Sequence, residues 1–304
     1  MPIIPAICRR DRSQLRRRTT WNIINNRARG TTRYFYTIEP TLPSLRSEDL
    51  HIRWLGHATV LMRHRSVTLI TDPLFRTRLF HLRRHGGTIS RGTPDNSMPL
   101  VILISHLHHD HLDFISLRKL NPDAVVVVPV GAGTYLKRRI PQDVIELGVG
   151  EDIRFHHIRI KGVRAEHGGR RWPSVSAPAQ GYIIEAGQTV YFAGDTGLFP
   201  AMESLHSCGI DIAFLPVCGH SPHLGKHHMN PIEAAQALEY IGARIAVPIH
   251  WGTYRPLGYS NHDFLRTPPY EFASHAALRA SNTHVHILNP GDDLLIAGSL
   301  PSAA

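Results

Sequence analysis

The sequence predicts an α/β protein folded as a four-layer αββα sandwich. Two observations carry that prediction. Continuous apolar runs alternate with helical segments as strand–helix–strand units, and the pattern recurs in a second half of the chain, so that each half reads as a mixed sheet covered by outer helices. At 304 residues and 42% hydrophobic content, the chain is long enough to bury the core such a fold needs.

The elements follow in order. Pro40, Pro43 and residues 44–49 separate a basic N-terminal arm, residues 1–46, from a body of residues 47–304. Residues 51–54, 59–63 and 67–71 read as a meander of short strands. The apolar runs 100–104 and 124–128 flank a helix over 113–120, which makes their strands buried on both faces. A helix near 133–139 and strands at 144–147 and 153–165 complete the first half. In the second half, strands 181–185 and 189–193 form a hairpin through Ala186-Gly187, residues 199–207 are helical, and 210–215 is a strand. Asn230 caps a helix that Pro231 opens and that runs to Ile241. A buried strand at 245–249, a helix at 269–280 and strands at 285–288 and 293–297 close the chain. No short-period repeat or low-complexity tract interrupts it.

Composition narrows the function classes. The three cysteines, Cys8, Cys208 and Cys218, contain no CxxC pair, which argues against a disulfide framework or a thiolate zinc site and for a reducing, cytoplasmic setting. The net charge of +10 is an N-terminal property: residues 1–46 carry ten arginines against two acids, while the body has 24 bases and 22 acids. The arm has three readings: a solvated segment, a contact for anionic lipid or polyphosphate at a membrane periphery, and an organellar transit peptide. No run of 18 apolar residues is present, and the first 18 residues lack the apolar stretch of a secretory signal.

The 22 histidines matter through their spacing. Ser105-His106-Leu107-His108-His109-Asp110-His111 follows directly on the apolar strand, so four candidate ligands (His106, His108, Asp110, His111) sit at a strand's carboxyl end. Open α/β sheets place their sites there. An extended loop can aim His106 and His108 at one point and Asp110 and His111 at a neighbouring one, which suits two metal ions better than one. A lone histidine is usually an ordinary surface or hydrogen-bonded residue, but this many imidazoles beside a buried strand need something to satisfy them.

This HxHxDH segment resembles the hallmark of the metallo-β-lactamase superfamily. The matching pieces arrive in order: Ile70-Thr71-Asp72-Pro73, His106 to His111, Glu166-His167, Phe192-Ala193-Gly194-Asp195-Thr196-Gly197 and Pro248-Ile249-His250-Trp251-Gly252-Thr253. The resemblance covers residues 51–297 and implies that superfamily's αββα sandwich. It also implies that His106, His108 and His167 hold one metal, that Asp110, His111 and His250 hold a second, and that Asp195 bridges both. The set of N and O donors suits zinc, and its carboxylates admit manganese or iron. Asp110 would orient the attacking water or manage its proton. Asp72 would fix a ligand histidine through its free ring nitrogen, and His57 would approach from the first hairpin. Their plainer roles are a turn cap beside Pro73 and a buried, hydrogen-bonded histidine.

Further segments resemble the branch of that superfamily containing N-acyl-phosphatidylethanolamine phospholipase D and, more distantly, L-ascorbate-6-phosphate lactonase. They are Trp54-Leu55-Gly56-His57-Ala58-Thr59, Leu69 to Phe75, and His228-Met229-Asn230-Pro231-Ile232-Glu233-Ala234. In that branch the histidine matching His228 lies near the substrate phosphate or leaving group, and a position just ahead of a helix N-terminus suits an anion. The loop Cys218-Gly219-His220-Ser221-Pro222-His223 departs from the phospholipase pattern, and His220 and His223 are expected to face substrate. The resemblance implies a dimetal phosphodiesterase acting on an N-acyl-phosphatidylethanolamine-like phospholipid. The alternatives are a lactonase or soluble phosphate-ester hydrolase and, from another class, an RNA-processing or nucleic-acid-binding protein using the arm against phosphates. The near-neutral body weighs against nucleic acid, and a homo-oligomer stays open.

Overall fold

The computed structural model describes residues 48–85, 94, 98–219, 227–258 and 263–298, so the basic arm lies outside the described residues. Two seven-stranded sheets dominate the body. The first runs, edge to edge, Asp293–Ile296, Leu50–Gly56, Thr59–His64, Val67–Thr71, Leu100–Leu103, Val125–Pro129 and Asp143–Leu147. Its neighbours pair antiparallel as far as Val67–Thr71 and parallel beyond it. The second runs His284–Val285, Ile245–Ile249, Ile212–Pro216, Thr189–Phe192, Gln180–Glu185, Ile158–Arg164 and Asp152–Phe155. Its first four strands are parallel and the rest antiparallel.

Strand alternation builds the layers. Val101 and Leu103 point into the core shared with Tyr182, Ile184, Phe192 and Phe214 of the second sheet. Leu100, Ile102 and Ile104 point the other way, to Leu117, Leu120 and Leu136. Because side chains alternate with period two, a continuous Leu-Val-Ile-Leu-Ile run must be covered on both faces. The second sheet is covered by Pro200–Cys208, Pro231–Ile241 and Pro268–Arg279, whose Met202, Leu238 and Phe272 join the larger core. The result is the four-layer sandwich expected from the sequence.

Several local expectations are corrected. The helix expected at 113–120 is one turn, Phe114–Leu117, capped by Asp113. It then tightens into i to i+3 bonds, Lys119 N–H to the Ser116 carbonyl and Leu120 N–H to that of Leu117, as the chain nears Pro122, which disfavours helix at Asn121. Residues 199–207 form a 3-10 helix, Pro200–Cys208, rather than an α-helix. The strand expected at 153–165 is a hairpin, Asp152–Phe155 with Ile158–Arg164, turning at His156, whose φ is +54°. The strand expected at 285–288 is only His284–Val285.

Parallel pairing sends the carboxyl ends of Val67–Thr71 and Leu100–Leu103 to one edge of the first sheet, and those of Thr189–Phe192, Ile212–Pro216 and Ile245–Ile249 to one edge of the second. Two bonds tie these edges together. Gln180 N–H donates to the Ser105 carbonyl at 3.0 Å, and the Tyr182 hydroxyl donates to the Ile104 carbonyl at 2.7 Å. No helix among the described residues is long and apolar enough to cross a membrane.

Candidate metal centre

The loops leaving these strand ends converge on one cluster. His106 follows Leu100–Leu103, Asp195 follows Thr189–Phe192, His250 follows Ile245–Ile249, and His167 follows Ile158–Arg164. His106 Nε2 lies 3.0 Å from His108 Nδ1, which lies 3.1 Å from His167 Nε2. Beside this trio, His111 Nε2 stands 3.3 Å from both Asp110 Oδ2 and Asp195 Oδ2. His250 Nε2 is 3.2 Å from Asp195 Oδ1 and 3.8 Å from Asp110 Oδ2. All seven residues expected as ligands are therefore brought together, as two donor groups that meet at Asp195.

Proton bookkeeping around the rings shows what these groups are prepared to hold. The Ser105 hydroxyl gives its one proton to Asp72 Oδ2 at 2.6 Å, so it must accept from His106 Nδ1 at 3.0 Å. His111 Nδ1 donates to Asp72 Oδ2 at 2.8 Å, His167 Nδ1 to the His227 carbonyl at 2.8 Å, and His250 Nδ1 to the Cys218 carbonyl at 2.7 Å. With each Nδ1 carrying a proton, each neutral ring presents an Nε2 lone pair to the centre. The Nε2 lone pairs of His106 and His167 both converge on His108 Nδ1, at 3.0 and 3.1 Å, and a cation between the three rings satisfies all of them where one shared proton cannot. His111 Nε2 and Asp195 Oδ1 are buried with no hydrogen-bond partner among the described residues. The donor set thus fits divalent metal.

The charge balance says the same. Burial works against charging His111, but Asp195, Asp110 and Asp72 outweigh it and raise its pKa well above the ordinary value. Burial likewise opposes the rise of His250 to about 9, which Asp195 and Asp110 drive. Burial would raise Asp195, yet His111 and His250 pull it well below the carboxylate range. Burial depresses His106 and, less strongly, His108 and His167. Without a cation, the carboxylates recruit protons onto His111 and His250, and a metal ion would take the place of that positive charge.

The supporting residues are equally placed. Asp72, wholly buried, accepts three bonds: from His111 Nδ1, the Ser105 hydroxyl and Ser105 N–H at 2.7 Å. His57 Nε2 meets Asp110 Oδ2 at 3.0 Å, and the His57 carbonyl accepts both Trp54 Nε1–H at 2.9 Å and His250 N–H at 3.0 Å. His57 therefore grips one ligand by its ring and another by its backbone. Asp72, His57 and His250 have φ values of +35°, +55° and +63°, half of the six non-glycine residues in that region among those described. Holding such angles costs about 1–3 kcal/mol each, so strain is concentrated where the donors must be aimed.

His228, expected near the substrate, sits at the rim. Its Nδ1 is 3.5 Å from Asp195 Oδ2, and its side chain is 25% exposed where that of Asp195 is 2%. Burial pushes it down to about 4, which leaves a neutral ring at pH 7. The capping box of Asn230 and Glu233 fixes the helix start just behind it. His220 and His223 lie outside the described residues.

Sequence reasoning missed Ser105, Thr253 and two carbonyl groups. Ser105 fixes the His106 tautomer, and Thr253 Oγ1 accepts His57 N–H at 2.6 Å. Ser105 could have been suspected from its place between strand and ligand. The carbonyls of Cys218 and His227 could not, because any residue type supplies one.

Fold and donors together define a metal-dependent hydrolase with the metallo-β-lactamase architecture. Residues 68–251 match the model of the beta-lactamase superfamily domain, and the chain belongs to that family. It is 32% identical over 259 residues to an N-acyl-phosphatidylethanolamine-hydrolyzing phospholipase D of Caenorhabditis elegans, a match covering 74% of this chain and 72% of the relative. It is 29% identical over 226 residues to a UPF0173 metal-dependent hydrolase of Thermoplasma acidophilum, covering 74% and 90% respectively. Among solved structures, a metallo hydrolase from Ignicoccus hospitalis superposes with a TM-score of 0.62 at 20% identity over 82% of this chain and 99% of that one, a likeness of fold.

Proposed function

We propose that this chain is a dinuclear phosphodiesterase that hydrolyses an N-acyl-phosphatidylethanolamine-like phospholipid between phosphorus and the headgroup oxygen. The observation that carries the reading is the pair of donor groups meeting at Asp195, with His228 Nδ1 3.5 Å from that carboxylate at the open rim. The likeness to the nematode phospholipase supports the substrate class.

His106, His108 and His167 would hold one ion and Asp110, His111 and His250 the other, with Asp195 shared; zinc suits these donors, and manganese or iron is compatible with them. Bound there, the ions supply charge against a phosphoryl oxygen and a water acidified enough to attack at neutral pH. Asp110, steadied by His57, accepts the proton of the attacking water. The water oxygen bonds to phosphorus while the bond to the headgroup oxygen breaks, and the proton taken up by Asp110 passes to that oxygen, which leaves as an alcohol. His228, a neutral ring, donates an N–H bond to the phosphodiester. The arginines of residues 1–46 hold the chain against anionic headgroups.

The test is a substrate panel on metal-loaded protein: bis(p-nitrophenyl) phosphate, N-acyl-phosphatidylethanolamine vesicles, a phosphomonoester and a lactone. Turnover of both phosphodiesters, lost in Asp195→Asn, is expected. Turnover of the lactone with neither phosphodiester cleaved sinks the reading, and trimming residues 1–40 without effect on the vesicle reaction removes the arm from it.

A further inference from the structure

One residue of the metal loop points away from the centre. His109, between the donors His108 and Asp110, stacks edge-on with Phe80 at 5.0 Å and with Trp172 at 5.1 Å between ring centroids. Both flanking rings face solvent, Phe80 at 62% and Trp172 at 51% exposure. They arrive from separate elements. Phe80 begins the two-residue turn between Arg78–Leu79 and Leu82–Arg84, and Trp172 ends the strand Arg170–Trp172. Nothing in the hydrophobic cores requires either ring, since neither belongs to one.

Phe80 is also held at a cost. Its φ of +49° is a left-handed value that a bulky side chain rarely adopts, at a turn position where glycine is the usual occupant. A large apolar ring kept at an exposed, strained tip argues for a use outside the fold. Basic residues share these elements: Arg78 and Arg83 pair across the strands that the Phe80 turn joins, Arg170 lies two residues before Trp172 on its strand, and all three are exposed. Exposed aromatic rings carried on the same elements as exposed arginines suit a boundary where apolar matter lies beneath a layer of anionic phosphate.

We infer that Phe80, His109 and Trp172, with Arg78, Arg83 and Arg170, form a docking surface for a phospholipid bilayer. The aromatic rings enter the headgroup region and the arginines meet the phosphates. This deepens the phospholipid reading of the metal centre and rests on it. Because His109 lies in the loop that carries the donors, a bilayer docked here would bring headgroups to the metal centre without the lipid leaving the membrane. The arm is a separate contact of charge, while this surface combines charge with apolar area.

The experiment uses the full chain carrying Trp21→Phe, so that Trp172 reports from the surface while Trp54 and Trp251 stay buried. Phosphatidylcholine–phosphatidylserine vesicles containing brominated acyl chains should quench Trp172. Phe80→Gly, which relieves the turn, should keep or raise the melting temperature while weakening vesicle partitioning about tenfold, the scale expected for losing part of a phenyl ring's burial. Vesicle binding without Trp172 quenching, or Phe80→Gly binding as the parent does, overturns the proposal, as does no binding at all. Cleavage of soluble bis(p-nitrophenyl) phosphate is measured in parallel on the parent chain. Quenching without that activity would remove the phosphodiesterase reading and leave the surface standing.

Discussion

Asp72 Oδ2 lies 2.8 Å from His111 Nδ1, and both side chains are wholly buried. The carboxylate keeps the His111 proton on Nδ1 and turns Nε2 toward Asp110 and Asp195. Burial raises the Asp72 pKa, and the donors around it, His111 Nδ1 and the Ser105 N–H and hydroxyl, oppose that rise by favouring the charged carboxylate. Asp72→Asn preserves the shape and removes that charge. Metal affinity should fall about 10–100-fold, as it does when such supporting partners are lost. Titration against a chromophoric chelator reads this directly, with circular dichroism to confirm the fold. Affinity equal to the parent's would reduce Asp72 to a turn residue before Pro73.

Gly194 offers a test of how tightly the two sheets' loops are fitted. Its φ is +62°, and a Cβ placed on it would stand 2.6 Å from the Ser105 Cβ. Gly209 has nearly the same φ, +61°, with nothing within 4 Å of a Cβ. Gly209→Ala should therefore cost only the left-handed backbone penalty, about 1 kcal/mol. Gly194→Ala should cost about 2–4 kcal/mol, because the clash adds to the strain and displaces Asp195 and Ser105 together. Urea midpoints for the two variants decide it. Equal losses would mean that the loops have room to separate.

The contrast between these positions explains what the sequence could and could not disclose. The buried strands, the capped helix Pro231–Ile241 and the HxHxDH segment were legible because each is written locally, as an apolar run, an Asn-Pro start or a spacing. Asp72 and His57 could be marked only as candidates, since their partners lie 39 and 53 residues away and only folding brings them together. The small sheet of Arg78–Leu79, Leu82–Arg84 and Tyr254–Pro256 was illegible, because strands of two or three residues have no readable period. The carbonyls that orient His167 and His250 leave no mark on residue identity.

The closing strand should be sensitive to acid. Asp293 binds Arg53 through two bonds of 2.6 and 2.7 Å, pinning Asp293–Ile296 to Leu50–Gly56 at the sheet edge. Burial acts to raise the Asp293 pKa, but Arg53 outweighs it and holds the carboxyl below its ordinary value. A depressed carboxyl stabilises the fold above its unfolded pKa, about 3.9, and that contribution disappears as pH falls through the folded value. Asp293→Asn should thus cost about 1 kcal/mol at pH 7, a penalty that shrinks as pH drops below about 4. Urea unfolding of parent and variant at several pH values measures the difference, and a constant gap across the series would show that charge is not its origin.

Metal loading should carry a pH signature of its own. In the cation-free centre, Asp195 and Asp110 overcome burial to raise His250 to about 9 and His111 well above its ordinary value. Both rings hold a proton on the nitrogen that would bind metal, and binding must expel it. Below these raised values, apparent affinity should therefore climb with pH, about tenfold per pH unit for each proton displaced. The climb should continue through neutrality, and the His250 share of it should end near pH 9. Calorimetry in buffers of different ionisation enthalpy counts the protons released at each pH. The Asp195→Asn variant, which removes the largest influence raising both histidines, should release fewer protons and bind more weakly. A parent whose affinity is flat between pH 6 and pH 9 would mean that His111 and His250 are neutral before the metal arrives, and that the carboxylates are balanced by some other charge.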